Sequence, residues 1–178
     1  MSKNHLKTLY SRGMSAVIFD LDLTLIDSSN SEQARSKRDW PLVYSLIPSY
    51  TLYPGITEAF DYIKKKNIKV AIVSTAPRAY IERVVNYYSI PCDCIVGYHD
   101  AKPIKPHPAP MFKALCELKT IPQNVISFGD RRIDIISSNS ANIKSVACLW
   151  GTKEKELLVN SFPWQIIESP LDIIPLLG

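Results

Sequence analysis

The sequence has no long apolar run. Segments such as Ala16-Val17-Ile18-Phe19 are typical of it, and none is long enough for a membrane-spanning helix. The stretch Met1–Met14 carries lysines but no apolar core, so a secretory signal is not expected and a cytoplasmic location is. The four cysteines, Cys92, Cys94, Cys116 and Cys148, form no C-x-x-C pair. Cys92 and Cys94 stand too close for an ordinary disulfide and lack a second ligand pair for zinc. Reduced, buried thiols are the expectation. A large charge excess is also absent: 21 Lys+Arg against 17 Asp+Glu leave +4. That suits an anionic small substrate and is too weak to argue for nucleic acid by itself. There is no internal repeat and no low-complexity segment.

The chain does have enough apolar material to fold alone. With 178 residues, 46% of them hydrophobic, it fits one domain over 1–178 that needs neither disulfides nor structural metal. Ser15–Phe19, Lys69–Val73, Cys94–Gly97, Val125–Phe128 and Ser145–Leu149 read as strands, continuously apolar as strands covered on both faces are. Ile56–Lys66, Pro77–Tyr88, Ala109–Leu118 and Ile133–Ala141 read as helices. In the first of these, Ile56, Ala59, Phe60 and Ile63 share a stripe, with lysines at the C-terminal end where cations suit the dipole. Alternation of this kind predicts a Rossmann-like three-layer α/β/α sandwich with a mainly parallel sheet.

One stretch, Asp27–Tyr53, interrupts the rhythm where a βα loop normally needs about two to six residues. It is a minimal insert after the first strand, with room for one or two short helices. Its apolar run, Trp40 to Ile47, is expected to pack the insert onto the core, with an oligomer contact the second reading.

Ligands of doubly wound folds bind at the carboxyl ends of the parallel strands. There the sequence places Asp20-Leu21-Asp22-Leu23-Thr24-Leu25, Ser74-Thr75 and Gly129-Asp130-Arg131-Arg132-Ile133-Asp134. Lys102-Pro103-Ile104-Lys105-Pro106-His107-Pro108 precedes the fourth strand. Carboxylates, hydroxyls and lysines converging on one sheet edge suit phosphoryl transfer. A carboxylate nucleophile is repelled by a phosphate ester unless a cation intervenes, and Mg2+ prefers oxygen ligands. Asp20 and Asp22 can divide nucleophilic and acid/base work, while a hydroxyl and an ammonium hold the phosphoryl oxygens.

In this order the motifs resemble all four of the haloacid dehalogenase superfamily, from about Ala16 to the C-terminus. Tyr53-Pro54-Gly55-Ile56 and Leu149-Trp150-Gly151 are similar to the phosphoglycolate phosphatase-like branch. The resemblance implies Asp20 as nucleophile and Asp22 as general acid/base. It implies Mg2+ on the Asp20 carboxylate, the Asp22 main-chain carbonyl and Asp130, with Asp134 supporting the metal or Lys105 from behind. Ser74, Thr75 and Lys105 would hold the phosphoryl group, and Thr24 would fix the loop on the substrate side. An acid at Asp22 favours a phosphatase or phosphotransferase over a dehalogenase. The chain departs from the pattern at Thr75, where asparagine is common, at Arg131-Arg132, and at Asn142, where glycine is usual. The helical cap is cut down to 27–53, which leaves the site open or completed by a second copy in a homo-oligomer.

Each residue also has a plainer reading. Asp20 and Asp22 can be turn residues, Asp134 a first-turn acid and Ser74 an N-cap. Lys102 competes with Lys105 but lacks the following Pro-His-Pro and reads as a rim charge. Arg131 or Arg132 is assigned to a second anionic group of the substrate. His107 either lines the site or faces water, while His5 and His99 read as surface residues. The expected substrate is a small soluble phosphomonoester. A macromolecular end, nucleic acid or protein, is the alternative, supported by Arg35, Lys37 and Arg38 beside Trp40. Against it, the insert holds three acids and three bases and is neutral as a whole. A binding protein with a vestigial site is the third reading, disfavoured by the intact Asp20, Asp22, Lys105 and Asp130.

Overall fold

Apolar runs buried on both sides dictate the architecture, seen here in a computed structural model that describes residues 13–178. The N-terminal twelve residues, and with them His5, lie outside the described part. In chain order the elements are β1 (Ala16–Phe19), β2 (Ile26–Asp27), α1 (Glu32–Ser36), α2 (Trp40–Leu46), β3 (Thr51–Leu52) and α3 (Ile56–Lys65). There follow β4 (Lys69–Val73), α4 (Arg78–Tyr87), β5 (Cys94–Val96), α5 (Ala109–Leu118) and β6 (Val125–Gly129). The last are α6 (Arg132–Ser140), β7 (Lys144–Cys148), α7 (Lys155–Val159), β8 (Gln165–Ile167) and α8 (Ile173–Leu176).

The main sheet has six strands in the order β5-β4-β1-β6-β7-β8, and every pairing in it is parallel. Alternate side chains divide between two cores. Val17, Phe19, Val70, Ile72, Ile126 and Phe128 face α3, α4 and the insert. Ala16, Ile18, Ala71, Val73 and Val125 face α5. A smaller cluster joins Ile135 of α6, Ala147 of β7 and Leu158 of α7. This is a Rossmann-like α/β fold. The chain runs from β1 outward through β4 to β5, then returns to β6 on the other side of β1. The crevice at that reversal lies beyond the carboxyl ends of β1 and β6, where such sheets bind ligands.

The stripe expected on α3 is the one buried: Ile56, Ala59, Phe60 and Ile63. The strand at 145–149 begins one residue earlier, and the sheet gains an unexpected sixth strand, β8, two of whose three residues are exposed. Residues 27–53 hold α1, α2 and short 3-10 turns, closed at their base by an antiparallel ribbon of β2 and β3. Val43, Ile47 and Tyr50 bury this insert against the first core. All four cysteines are free, with Cys94 and Cys148 buried; Cys116 is exposed, against the expectation that burial was its role. Asn142 adopts φ 58°, a left-handed conformation that asparagine tolerates in place of glycine. No helix among the described residues is long and apolar enough to cross a membrane.

Phe19 is 1% exposed, stacks on Phe128 at 4.9 Å and meets Phe60 edge-on at 5.8 Å. Phe19→Ala is expected to cost about 3–5 kcal/mol in urea unfolding. Phe162→Ala, at a residue 86% exposed, is expected to stay within about 0.5 kcal/mol of the parent.

Candidate active site

Asp20 is the first residue beyond β1, and its main-chain N–H still donates to Phe128 O at 2.9 Å, so the sheet itself aims it. Its carboxylate is 10% exposed and meets the Lys105 ammonium at 2.7 Å. Lys105 comes from the loop between β5 and α5. Its other two protons go to Asp134 Oδ1 at 2.5 Å and Val73 O at 2.8 Å. An ammonium has three donors, so Lys105 is saturated within the site. Lys102 is exposed, and of the two lysines it is Lys105 that reaches Asp20.

Asp130 ends β6. Thr24 Oγ1 donates to Asp130 Oδ1 at 2.8 Å, and Thr152 Oγ1 donates to the Asp130 carbonyl at 2.6 Å. Thr24 is fully buried, which corrects its placement on the substrate side: its hydroxyl is spent on Asp130. Asp134 sits in the first turn of α6, where its Oδ2 accepts from the Arg131 N–H at 3.0 Å. The plainer reading of Asp134 and the supporting one therefore coexist, because its other oxygen holds Lys105. Gly129 makes this approach feasible. A Cβ at that position would lie 2.4 Å from Asp134 Cβ. Gly151 does the same for the Asp20 loop, where a Cβ would lie 2.0 Å from Leu23 O.

Asp22 faces elsewhere. Its Oδ1 accepts from Ser28 Oγ at 2.6 Å, Arg35 Nη1 at 2.5 Å and Tyr80 OH at 2.6 Å. Ser74 is buried, and its Oγ accepts from Ala76 N–H at 3.2 Å, a local turn rather than the helix cap considered for it.

These groups line one cavity of about 490 Å³ that includes Asp20, Asp22, Ser74, Thr75, Lys105, Asp130, Arg131 and Asp134. Arg35, Arg38 and Trp40 of the insert also line it. Trp40 thus packs against Tyr80, 6.1 Å away, and lines the cavity at the same time. Arg132, Lys102 and His107 are not in its wall. The Arg132 N–H bonds Glu154 instead, and His107 Nδ1 accepts from the Ala109 N–H. His99, read as a surface residue, does line the cavity, beside Tyr98. Both follow β5, so the strand-end rule that found the other motifs would have found them too. Tyr80 and Ser28 carry no such signal, since a helix tyrosine and a loop serine are common anywhere.

Burial is the leading electrostatic influence. It raises the pKa of Asp20, and the Asp134 and Asp22 charges push the same way against Lys105. Burial likewise raises Asp130, reinforced by Asp20 and Asp134 and opposed by the Thr24 hydrogen bond. Burial disfavours the Lys105 charge, but Asp134 and Asp20 more than offset it and hold the ammonium above its ordinary value. The carboxylate oxygens of Asp20, Asp130 and Asp134 lie within 4.8 Å of one another. One lysine among three buried carboxylates leaves negative charge uncompensated. Hard oxygen donors in that state fit a divalent cation such as Mg2+. The cluster holds the carboxylates of Asp20 and Asp130, both named among the expected ligands, with that of Asp134 beside them; the Asp22 side chain, whose main-chain carbonyl is the expected ligand, is turned to Arg35.

A model of the haloacid dehalogenase-like hydrolase family matches residues 43–148, which begins after the Asp20 loop. The chain is similar to pyrophosphatase PpaX of Oceanobacillus iheyensis, 31% identical over 130 residues covering 72% of this chain and 61% of that protein. PpaX of Bacillus cereus is 30% identical over 157 residues, covering 80% and 73% of the two. The chain thus spans about 61% of the length of the first of these relatives. In fold it is similar to a predicted phosphoglycolate phosphatase from Haemophilus somnus, with TM-score 0.83, 20% identity and coverage of 94% and 100%. A superfamily hydrolase from Geobacter sulfurreducens superposes with TM-score 0.76, also at 20% identity, covering 93% and 100%. With most of its length matched by the family model and by relatives of this similarity, the chain belongs to the haloacid dehalogenase-like hydrolase family.

Proposed function

We propose that this chain is a phosphatase that hydrolyses a small phosphomonoester through an aspartyl phosphate on Asp20. The observation that carries the reading is the convergence of Asp20, Asp22, Ser74, Lys105 and Asp130 on one cavity. The names of the relatives, pyrophosphatase and phosphoglycolate phosphatase, support hydrolysis of a small phosphorylated compound. So does the cavity volume, about 490 Å³, which lies in the range typical of small-molecule sites.

In the proposed reaction an Asp20 carboxylate oxygen attacks phosphorus while the bond to the leaving oxygen breaks. Asp22 gives its proton to that oxygen, so the product leaves as an alcohol. Asp22 then takes a proton from water as the water attacks the acyl phosphate. The phosphorus–Asp20 bond breaks, and inorganic phosphate is released. Lys105, with Ser74 and Thr75, holds the non-bridging oxygens; one of the ammonium's contacts to a carboxylate passes to the phosphoryl group as it arrives. Arg131, exposed on the cavity wall, is placed to meet a further anionic group of the substrate. Asp20 and Asp130, with Asp134 beside them, would hold Mg2+. When bound, that ion supplies the positive charge that keeps Asp20 ionised and neutralises the phosphate ester.

Asp20→Asn is expected to keep the fold and lose at least about 10³-fold in turnover of a generic aryl phosphate, since an amide cannot form the acyl phosphate. Turnover comparable to the parent would overturn the mechanism.

The raised carboxylates predict a pH signature. Without a divalent ion, the folded protein binds protons more tightly than the unfolded chain at Asp20 and Asp130. The associated stability is fully present below the ordinary carboxylate pKa and is lost as pH rises through the raised values. The melting temperature of the ion-free protein is therefore expected to fall between about pH 5 and about pH 8. Mg2+ at about 100 times its dissociation constant adds about 2.7 kcal/mol where it binds, and more of that appears at the higher pH. Asp130→Asn is expected to flatten the pH dependence and abolish the Mg2+ effect in the same thermal scans.

A further inference from the structure

The reduced insert leaves a question: what does a cap too small to close contribute? Its α1 carries Arg35, whose Nη1 reaches Asp22 Oδ1 at 2.5 Å, with side-chain exposures of only 15% and 17%. We infer that Arg35, with Tyr80 and Ser28, is a positioning residue that pins one oxygen of Asp22 so that the other is presented to the leaving group. This rests on the proposed role of Asp22 as the general acid/base.

Three features carry the inference. First, all the hydrogen bonds to the Asp22 side chain fall on Oδ1, from Ser28, Arg35 and Tyr80; among the described residues Oδ2 has no protein partner, and Asp22 lines the cavity. A carboxylate held through one oxygen by three donors has lost its freedom to rotate, yet keeps a lone oxygen for proton transfer.

Second, the donors depend on the contact themselves. Tyr80 is fully buried, and its hydroxyl meets Asp22 at 2.6 Å and Arg35 at 3.2 Å. Ser28 is fully buried as well, giving its proton to Asp22 and accepting from Arg35 at 2.6 Å. A buried hydroxyl without a partner costs about 1–3 kcal/mol, so moving Asp22 would strand both. The Arg35 guanidinium is disfavoured by burial, and the Asp22 charge and Tyr80 more than restore it.

Third, the helix that presents Arg35 is fixed. Tyr50 OH donates to Ser31 Oγ at 2.6 Å, and Tyr88 OH of the core side donates to the Ile47 and Tyr50 carbonyls at 2.7 and 2.6 Å. Lys153, beyond β7, pairs with Glu32 of α1. The insert is therefore tied to the core at the start of α1, through Glu32, and beyond α2, through the Ile47 and Tyr50 carbonyls. A mobile lid would not be fastened in this way. Arg35 delivers a fixed guanidinium to the acid, as part of the cavity wall rather than as a gate.

Leaving-group dependence tests this, because a displaced acid harms esters whose leaving oxygen needs a proton and spares those whose oxygen does not. For Arg35→Gln and Tyr80→Phe, kcat/KM for phenyl phosphate is expected to fall about ten- to a hundredfold, with p-nitrophenyl phosphate falling less than about threefold. KM is expected to hold, and Arg35→Lys to recover part of the loss. Tyr80→Phe keeps the buried ring, so it remains informative even if Arg35→Gln does not fold. Equal losses on both esters, or a loss confined to KM, would overturn the inference in favour of a structural or substrate-binding arginine. A crystal structure of Tyr80→Phe combined with Arg35→Gln decides the point without turnover. The Asp22 carboxylate is expected to shift by about 1 Å or more, a displacement large enough to matter for catalysis; an unmoved carboxylate overturns the proposal. If the parent hydrolyses neither ester, the phosphatase reading fails, while the crystal structure still decides the positioning.

Discussion

A single buried ammonium holds this site together. Lys105 bonds Asp20 beyond β1, Val73 at the end of β4 and Asp134 in the first turn of α6. It thereby ties together three elements that the sheet brings side by side but does not itself join at their ends. A cation at 4% exposure is tolerable only where carboxylates surround it. The carboxylates in turn are tolerable only because it is there. The rest of the constellation, from the Thr24–Asp130 bond to the glycine at 129, shapes the walls that keep this balance dry. The surplus negative charge that remains is what makes the cluster suited to a divalent ion rather than to a second lysine.

Much of this was legible in the sequence because parallel strands buried on both faces are written as unbroken apolar runs. Their carboxyl ends can be found by counting. Asp20 and Asp130 emerge that way, Lys105 stands out by the Pro106-His107-Pro108 that follows it, and the stripe of Ile56, Ala59, Phe60 and Ile63 follows from helical period alone. The losses have physical reasons. The strand Gln165–Ile167 lies at the sheet edge with two exposed residues, so it lacks the continuous apolar signature. Tyr98 and His99 follow a strand that was legible, but a tyrosine and a histidine there carry no phosphoryl-transfer signal of the kind that paired carboxylates do. A motif gives the position of the Thr24 hydroxyl and not the direction of its hydrogen bond, so its pairing with Asp130 was not legible. The departure at 142 turned out to preserve the backbone it seemed to abandon, since asparagine can adopt the same left-handed turn.

The insert of residues 27–53 is fixed to the core by packing and by hydrogen bonds. Val43, Ile47 and Tyr50 anchor it in the main core. The polar residues at its start, Ser28, Ser31 and Arg35, form a network with Tyr80 that has no counterpart in composition or charge counts. Their sequence looked like an ordinary polar loop. Only the return of the chain at Tyr53, whose N–H donates to Leu25 O at 3.2 Å, puts those side chains over Asp22.

The loop that carries Asp20 is locked from far along the chain. Thr24 bonds Asp130, 106 residues later, and the Trp150 indole donates to the Thr24 carbonyl across 126 residues. Gly151 closes against Leu23 at the same spot. Chains are synthesised from the N-terminus at about 5–20 residues per second. Asp20 therefore leaves the ribosome well before the residues that fix its setting. Until Asp130, Trp150 and Gly151 have emerged, its loop lacks the contacts that lock it.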